Sequence, residues 1–98
     1  MEMKTKMSDI KHYDIYITGK VQGVFFRKNT TDKAKEEGIN GFVKNMPDGS
    51  VYIEAEAPES TLNELVDWCK TGSPDANVEN VEYHKSEIKG FDNFQVRY

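Results

Sequence analysis

Cysteine is nearly absent from this 98-residue sequence, in which Cys69 is the only one. A single thiol excludes an internal disulfide, and with it the disulfide frameworks that hold small secreted domains together. Long hydrophobic runs are also missing, because the opening MEMKTKMSDIK alternates charged residues with methionine. This pattern predicts neither a signal peptide nor a membrane anchor, so we expect a cytoplasmic protein without a membrane partner.

Basic residues are in the minority, with 13 lysines and arginines against 17 aspartates and glutamates and a net charge of −4. A field of this sign repels polyanions, and nucleic-acid binding would need a local basic stripe. Histidine is scarce as well. His12 and His84 have no spacing typical of metal sites, so both are expected at surface positions on strands. We expect no metal ion and no cofactor.

Patterning predicts a single small α+β domain over residues 11–98, preceded by a disordered arm at residues 1–10. Alternation places Tyr13, Ile15 and Ile17 on one face of a first strand. The remaining elements are predicted as helix, strand, strand, helix, strand and a short final strand. Because strand–helix–strand crossovers are right-handed, this βαββαβ order predicts a ferredoxin-like split βαβ sandwich, with a mainly antiparallel sheet and two helices on one face.

Local signals refine the middle of this order. Residues 47–49, Pro-Asp-Gly, predict a turn that pairs the second and third strands as a hairpin. In the third strand Glu54 and Glu56 alternate with apolar residues, which predicts a solvated outer face. A capping box at Thr61 and Glu64 predicts the start of the second helix. The apolar stripe of that helix is Leu62, Leu65, Val66 and Cys69.

The segment GKVQGVFFR, residues 19–27, joins the first strand to the first helix. Its two glycines permit a sharp turn, and its last N–H groups approach a helix N-terminus, where unpaired donors and the helix dipole favour an anion. Arg27 adds a positive charge whose planar fork suits phosphate oxygens. The pattern is consistent with a phosphoryl-binding loop, but taken alone it favours a structural turn that leaves Arg27 in solvent.

This segment resembles the first signature of the acylphosphatase family, G-x-V-Q-G-V-x-F-R, and GFVKNMPDGSV, residues 41–51, resembles the second. The resemblance implies a ferredoxin-like fold and hydrolysis of acyl phosphates to a carboxylate and inorganic phosphate. It also implies that Arg27 binds the phosphoryl group and that Asn45, by residue type alone a turn residue, orients the attacking water. The loop residues that bind substrate are then Gln22, Gly23, Val24, Phe25 and Phe26.

Alternatives to this function remain on sequence grounds. Residues 89–91, Lys-Gly-Phe, begin like the aromatic strand motif of RNA-recognition domains, although Asp92 breaks the pattern. A non-catalytic acylphosphatase-like module, as in hydrogenase-maturation proteins, would be expected beside zinc-finger cysteines. Cys69 is expected to be a core thiol, since no arginine follows it at the spacing of a cysteine phosphatase. We expect a monomer with a small-molecule substrate and no nucleic-acid partner, and Trp68 and the tyrosines as packing residues.

Overall fold

The computed structural model describes residues 9–98 of the chain. The predicted arm at residues 1–10 therefore lies mostly outside the described residues, and Ile10 is the first residue of a strand. No helix within residues 9–98 combines the length and apolar character that crossing a membrane requires. The elements in chain order are β1 (Ile10–Lys20), α1 (Phe26–Glu37), β2 (Asn40–Asn45), β3 (Val51–Pro58), α2 (Glu59–Thr71), β4 (Asn77–Ser86) and β5 (Phe94–Arg97).

The strands form one sheet in the order β4-β1-β3-β2-β5. Strand β1 lies antiparallel to β3 and β4, and β2 lies antiparallel to β3, as the predicted hairpin requires. Among the strands of residues 9–98, only the added edge strand β5 runs parallel to its neighbour, β2. The predicted ferredoxin-like α+β fold is thus confirmed, and it brings the end of β2 beside the start of α1.

The core lies between the inner face of the sheet and the two helices. Tyr13, Ile15 and Ile17 are buried on that face, as their alternation predicted. Full burial of each such side chain contributes roughly 1.5–3 kcal/mol. Helix α1 contributes a thin stripe of Phe26, Thr30 and Ala34, while α2 contributes the predicted stripe of Leu62, Leu65, Val66 and Cys69.

The start of α2 differs from the prediction. The helix begins at Glu59, with Pro58 in the capping position and no side chain capping its N–H groups. Thr61 and Glu64 therefore lie inside the helix, and the predicted capping box was wrong. Pro58 has a φ of −56° and a ψ of 146°, so it is still extended, and the helical conformation begins at the next residue.

The outer face of the sheet is covered, contrary to the prediction of a solvated face. His12, Glu54 and Glu56 are only 0%, 6% and 5% exposed. The connection from β4 to β5 folds back across this face, and the backbone N–H groups of residues 89–91 donate to the Glu56 carboxylate at 2.6 to 3.1 Å. These tertiary contacts bury groups that strand alternation alone assigned to solvent.

Candidate active site

A cavity of about 380 Å³ opens where the N-terminus of α1 meets the end of β2. Both predicted catalytic residues, Arg27 and Asn45, line it, as do Gly23, Phe25 and Phe26 of the loop between β1 and α1. The fold thus brings together two residues that lie on different elements. The lining is completed by Val21, Lys28, Thr31, Asp32, Val96 and Tyr98.

The loop before α1 has an unusual backbone. Gly23 has a φ of 73°, and Phe25, at 61°, is the one residue other than glycine with a positive φ among residues 9–98. Bulky side chains rarely adopt this left-handed conformation, which is most often maintained at functional sites. Strain is therefore concentrated at the residue that immediately precedes the helix.

The backbone N–H groups of residues 22–27 have no hydrogen-bond acceptor in the described part of the chain. None of the hydrogen bonds within residues 9–98 uses the N–H groups of residues 22–27 as donors, and the ladder of α1 begins with the Asn29 N–H, which donates to the Phe25 carbonyl at 3.0 Å. A helix N-terminus leaves its first N–H groups free and carries a partial positive charge. The loop therefore offers consecutive donors beside the Arg27 guanidinium.

Two buried side chains hold the loop in place. Val24 and Phe26 are 6% and 1% exposed, and the Phe26 ring packs against Trp68 with centroids 5.5 Å apart. The Val24 carbonyl accepts a hydrogen bond from the Ser73 hydroxyl at 2.7 Å. Phe25 between them is 70% exposed and borders the cavity. This alternation fixes the loop while leaving its central residue accessible.

Gln22 connects the loop to the turn between β2 and β3. Its side-chain amide donates to the carbonyls of Met46 and Ser50, each at 2.8 Å. Gln22 and Val24 are not among the residues that line the cavity, unlike the other predicted binding residues. Gln22 therefore holds the segment that carries Arg27 against the segment that carries Asn45.

Asn45 is the last residue of β2, and its Oδ1 atom is buried with no hydrogen-bond partner among residues 9–98. Leaving such an acceptor unpaired costs about 1–3 kcal/mol. The turn that follows is closed by other groups, because the Asp48 carboxylate accepts hydrogen bonds from the Ser50 hydroxyl and N–H at 2.6 and 2.9 Å. Asn45 is therefore not needed to form the turn, and its side chain is available to a ligand.

Tyr98 was not predicted as part of this site. Its side chain is 99% exposed, so the expectation that the tyrosines pack internally was wrong for this residue. The Arg27 guanidinium carbon lies 5.0 Å from the centre of its ring, a distance at which the cation and the ring attract each other. The parallel pairing of β5 with β2 carries the chain end to the cavity, and strand alternation gives no signal for that contact.

Cys69 is confirmed as a core thiol. It is fully buried in the stripe of α2, and this burial raises the pKa of the thiol to about 12. A thiol in this state is protonated at neutral pH and inert as a nucleophile. Cys69 therefore supplies no nucleophile to the cavity.

Comparison with known proteins agrees with this geometry. The sequence model of the acylphosphatase family matches residues 13–96. The chain belongs to the acylphosphatase family. The acylphosphatase of Archaeoglobus fulgidus is 48% identical over 85 residues, covering 87% of this chain and 96% of that relative. The acylphosphatase of Haloquadratum walsbyi is 46% identical over 83 residues, covering 85% and 89%.

A solved acylphosphatase structure shares the fold. The structure of an acylphosphatase from Coxiella burnetii superposes with a TM-score of 0.91 at 34% identity, covering 97% of this chain and all of that one. Acylphosphatases act on small acyl phosphates, and this chain is an enzyme of that type. The acylphosphatase function predicted from the two signatures is confirmed.

Proposed function

We propose that this acylphosphatase binds the phosphoryl group of its substrate with Arg27 and the loop N–H groups, and positions the attacking water with Asn45. One observation carries the proposal. Three features of residues 9–98 meet around a single cavity. They are the Arg27 cation, the loop N–H donors that have no acceptor, and the buried Asn45 Oδ1 acceptor that has no donor. A phosphoryl group would supply acceptors for the loop N–H groups, and a water molecule would supply a donor for Asn45 Oδ1.

Phosphoryl transfer depends mainly on positioning and on stabilising charge, and both requirements match these residues. The fork of Arg27 and the N–H groups of residues 22–27 would hold the nonbridging oxygens, at the positive end of α1. Donors held rigidly before the reaction stabilise the developing charge, and one such donor is worth on the order of 3 kcal/mol. Val24 and Phe26 supply that rigidity through their burial.

The attacking water would be oriented by the side-chain amide of Asn45. An amide is a poor base, so the proton of the water passes to a phosphoryl oxygen of the substrate as the new O–P bond forms and the carboxylate leaves. A carboxylate is a good leaving group and needs no strong general acid. This is the role that the resemblance to the acylphosphatase signatures implies for Asn45.

We further propose that the enzyme is a cytoplasmic monomer acting on free acyl phosphates rather than on nucleic acid. The cavity of about 380 Å³ is within the size range of small-ligand sites. The net charge of −4 opposes binding to polyanions. If the site binds the substrate by its phosphoryl group, the acyl group would lie beside Phe25, which is largely exposed.

The test is phosphate release from benzoyl phosphate and acetyl phosphate by the full-length protein in buffer containing EDTA. We expect full activity under these conditions and lower activity on p-nitrophenyl phosphate, because its phenolate is a poorer leaving group than the carboxylate of an acyl phosphate. Loss of activity with EDTA, restored by added metal, would overturn the metal-free mechanism. Absence of activity on every acyl phosphate would overturn the proposed reaction.

A further inference from the structure

A second polar centre lies on the outer face of the sheet, built from β1 and β3. His12 is fully buried there. Its Nδ1–H donates to the Glu56 carboxylate at 2.7 Å. Its Nε2 faces two other carboxylate oxygens, Asp14 Oδ1 at 2.8 Å and Glu54 Oε1 at 3.4 Å. We refer to His12, Asp14 and Glu54 as the His12 cluster, and none of the three lines the cavity that holds Arg27 and Asn45.

From this arrangement we propose that the His12 cluster is a binding site for a divalent transition-metal ion of the Zn²⁺ type. One ligand atom from each of the three residues lies within 4.8 Å of the others, close enough to surround one ion after small side-chain adjustments. One imidazole nitrogen and two carboxylate oxygens form a ligand set that Zn²⁺ accepts, with a fourth position left for water. The expectation of a metal-free chain, based on sequence spacing, did not consider neighbours brought together across paired strands.

Each ligand is oriented by a further group, as metal ligands in proteins usually are. Glu56 holds the imidazole through Nδ1, which leaves Nε2 directed at Asp14 and Glu54. The Tyr52 hydroxyl donates to Glu54 Oε2 at 2.6 Å, which leaves Oε1 directed at His12. The Ser86 hydroxyl donates to Asp14 Oδ2 at 3.2 Å, which likewise leaves Oδ1 facing the ring.

The charges around the ring favour a cation. Asp14, Glu54 and Glu56 contribute three negative charges, and the nearby cation is Lys89, whose ammonium group lies 2.8 Å from Glu54 Oε1. Asp14, Glu54, Glu56 and Lys89 together carry a net charge of −2. A divalent ion bound by the cluster would neutralise this excess. Lys89 is 56% exposed at its side chain and so is free to move aside, and Asp14 at 22% provides access from solvent.

The test is isothermal titration of the metal-stripped, full-length protein with Zn²⁺ at pH 7.5. We expect saturable binding of one Zn²⁺ ion per chain. His12→Gln should weaken binding by about a hundredfold or more, while His84→Gln, which alters the exposed second histidine, should leave the affinity unchanged. Absence of Zn²⁺ binding to the wild type, or loss of binding in the His84 variant instead, would overturn the proposal.

Lys89→Gln tests the site without removing any ligand. Because Lys89 competes with the metal for Glu54, its replacement should tighten Zn²⁺ binding several-fold. A purely structural cluster predicts no such gain. Unchanged or weaker binding in this variant would contradict the proposal, and this arm remains decisive if His12→Gln fails to fold. Activity on acyl phosphates is measured in parallel, and its failure would concern the cavity alone.

Discussion

The two polar centres of this acylphosphatase differ in what they lack. Around the cavity, the N–H groups of residues 22–27 and the Arg27 guanidinium offer donors and positive charge without acceptors in the described part of the chain. In the His12 cluster, carboxylates outnumber the neighbouring cations. An excess of donors favours an anion, and an excess of acceptors favours a cation.

The two centres also differ in how much their side chains contribute to the stability of the fold. Side chains at the cavity have few partners, so replacing them should affect activity more than folding. The groups around His12 are buried and hydrogen-bonded to one another, so replacing them should affect folding more than acyl phosphate hydrolysis. Substitutions at the cavity should therefore lower activity and spare stability, whereas substitutions around His12 should lower stability and spare activity. The following variants test this difference.

Arg27→Ala should have the largest effect. Removing the cation takes away a phosphoryl contact in both the ground state and the transition state, so we expect kcat/KM for benzoyl phosphate to fall by about 10³-fold and inhibition by inorganic phosphate to weaken. Thermal unfolding should change little, because Arg27 is only partly buried. Lys35→Ala, at an exposed position on the same helix, is the control and should retain activity.

Glu56→Gln should lower stability and leave the activity unchanged. Burial acts to raise the pKa of Glu56, but hydrogen bonds from His12 and from backbone N–H groups outweigh it and hold the pKa below its ordinary value. Removing the charge opposite buried His12 should lower the free energy of unfolding by about 3 kcal/mol, measured by urea denaturation. The folded variant should hydrolyse benzoyl phosphate at the wild-type rate. A large loss of kcat with intact stability would contradict the separation of the two centres.

Gln22→Ala should have an intermediate effect on catalysis. Its two hydrogen bonds hold the loop against the turn after Asn45. Without them, the distance between the phosphoryl group and the attacking water should vary more. We expect kcat to fall roughly tenfold with a smaller change in KM, since a misplaced water affects the chemical step alone. An increase in KM with unchanged kcat would instead indicate that Gln22 acts in substrate binding.

Asp48→Asn should have the smallest effect, confined to the dependence of stability on pH. The Ser50 hydroxyl and N–H lower the pKa of Asp48 below its usual value of 3.8. Since the pKa is lower in the folded protein, the contribution of this carboxylate to stability is present above the unfolded value and is lost as pH falls through the folded one. The difference in melting temperature between wild type and variant should thus disappear in strong acid. A difference independent of pH would contradict this account.

The sequence contained enough information to predict the elements and the active-site loop, because these depend on local patterns. Alternation correctly placed Tyr13, Ile15 and Ile17 inside, and the turn residues after Asn45 correctly predicted the hairpin. The two family signatures then assigned Arg27 and Asn45 to one site, and the fold brings both to one cavity. Periodicity within single strands and helices was sufficient to predict the elements, whereas the site residues came from the resemblance to the family signatures.

The sequence did not reveal the burial of His12, Glu54 and Glu56, which depends on a connection that carries no periodic signal. Residues 89–91 cover the outer face of β3 only because β5 returns to the far edge of the sheet beside β2. The approach of Tyr98 to Arg27 has the same origin. In both cases long-range strand order decides which groups meet.

The most direct test of the proposed mechanism is a steady-state titration of Asn45→Ala with benzoyl phosphate in the presence of inorganic phosphate. If Asn45 orients the water, kcat should fall by about a hundredfold or more while the inhibition constant for phosphate stays within about twofold of wild type. Asn80→Ala, at an exposed position on β4, is the matched control. A wild-type kcat, or a loss of phosphate binding equal to the loss of rate, would contradict the assignment of Asn45 to the water.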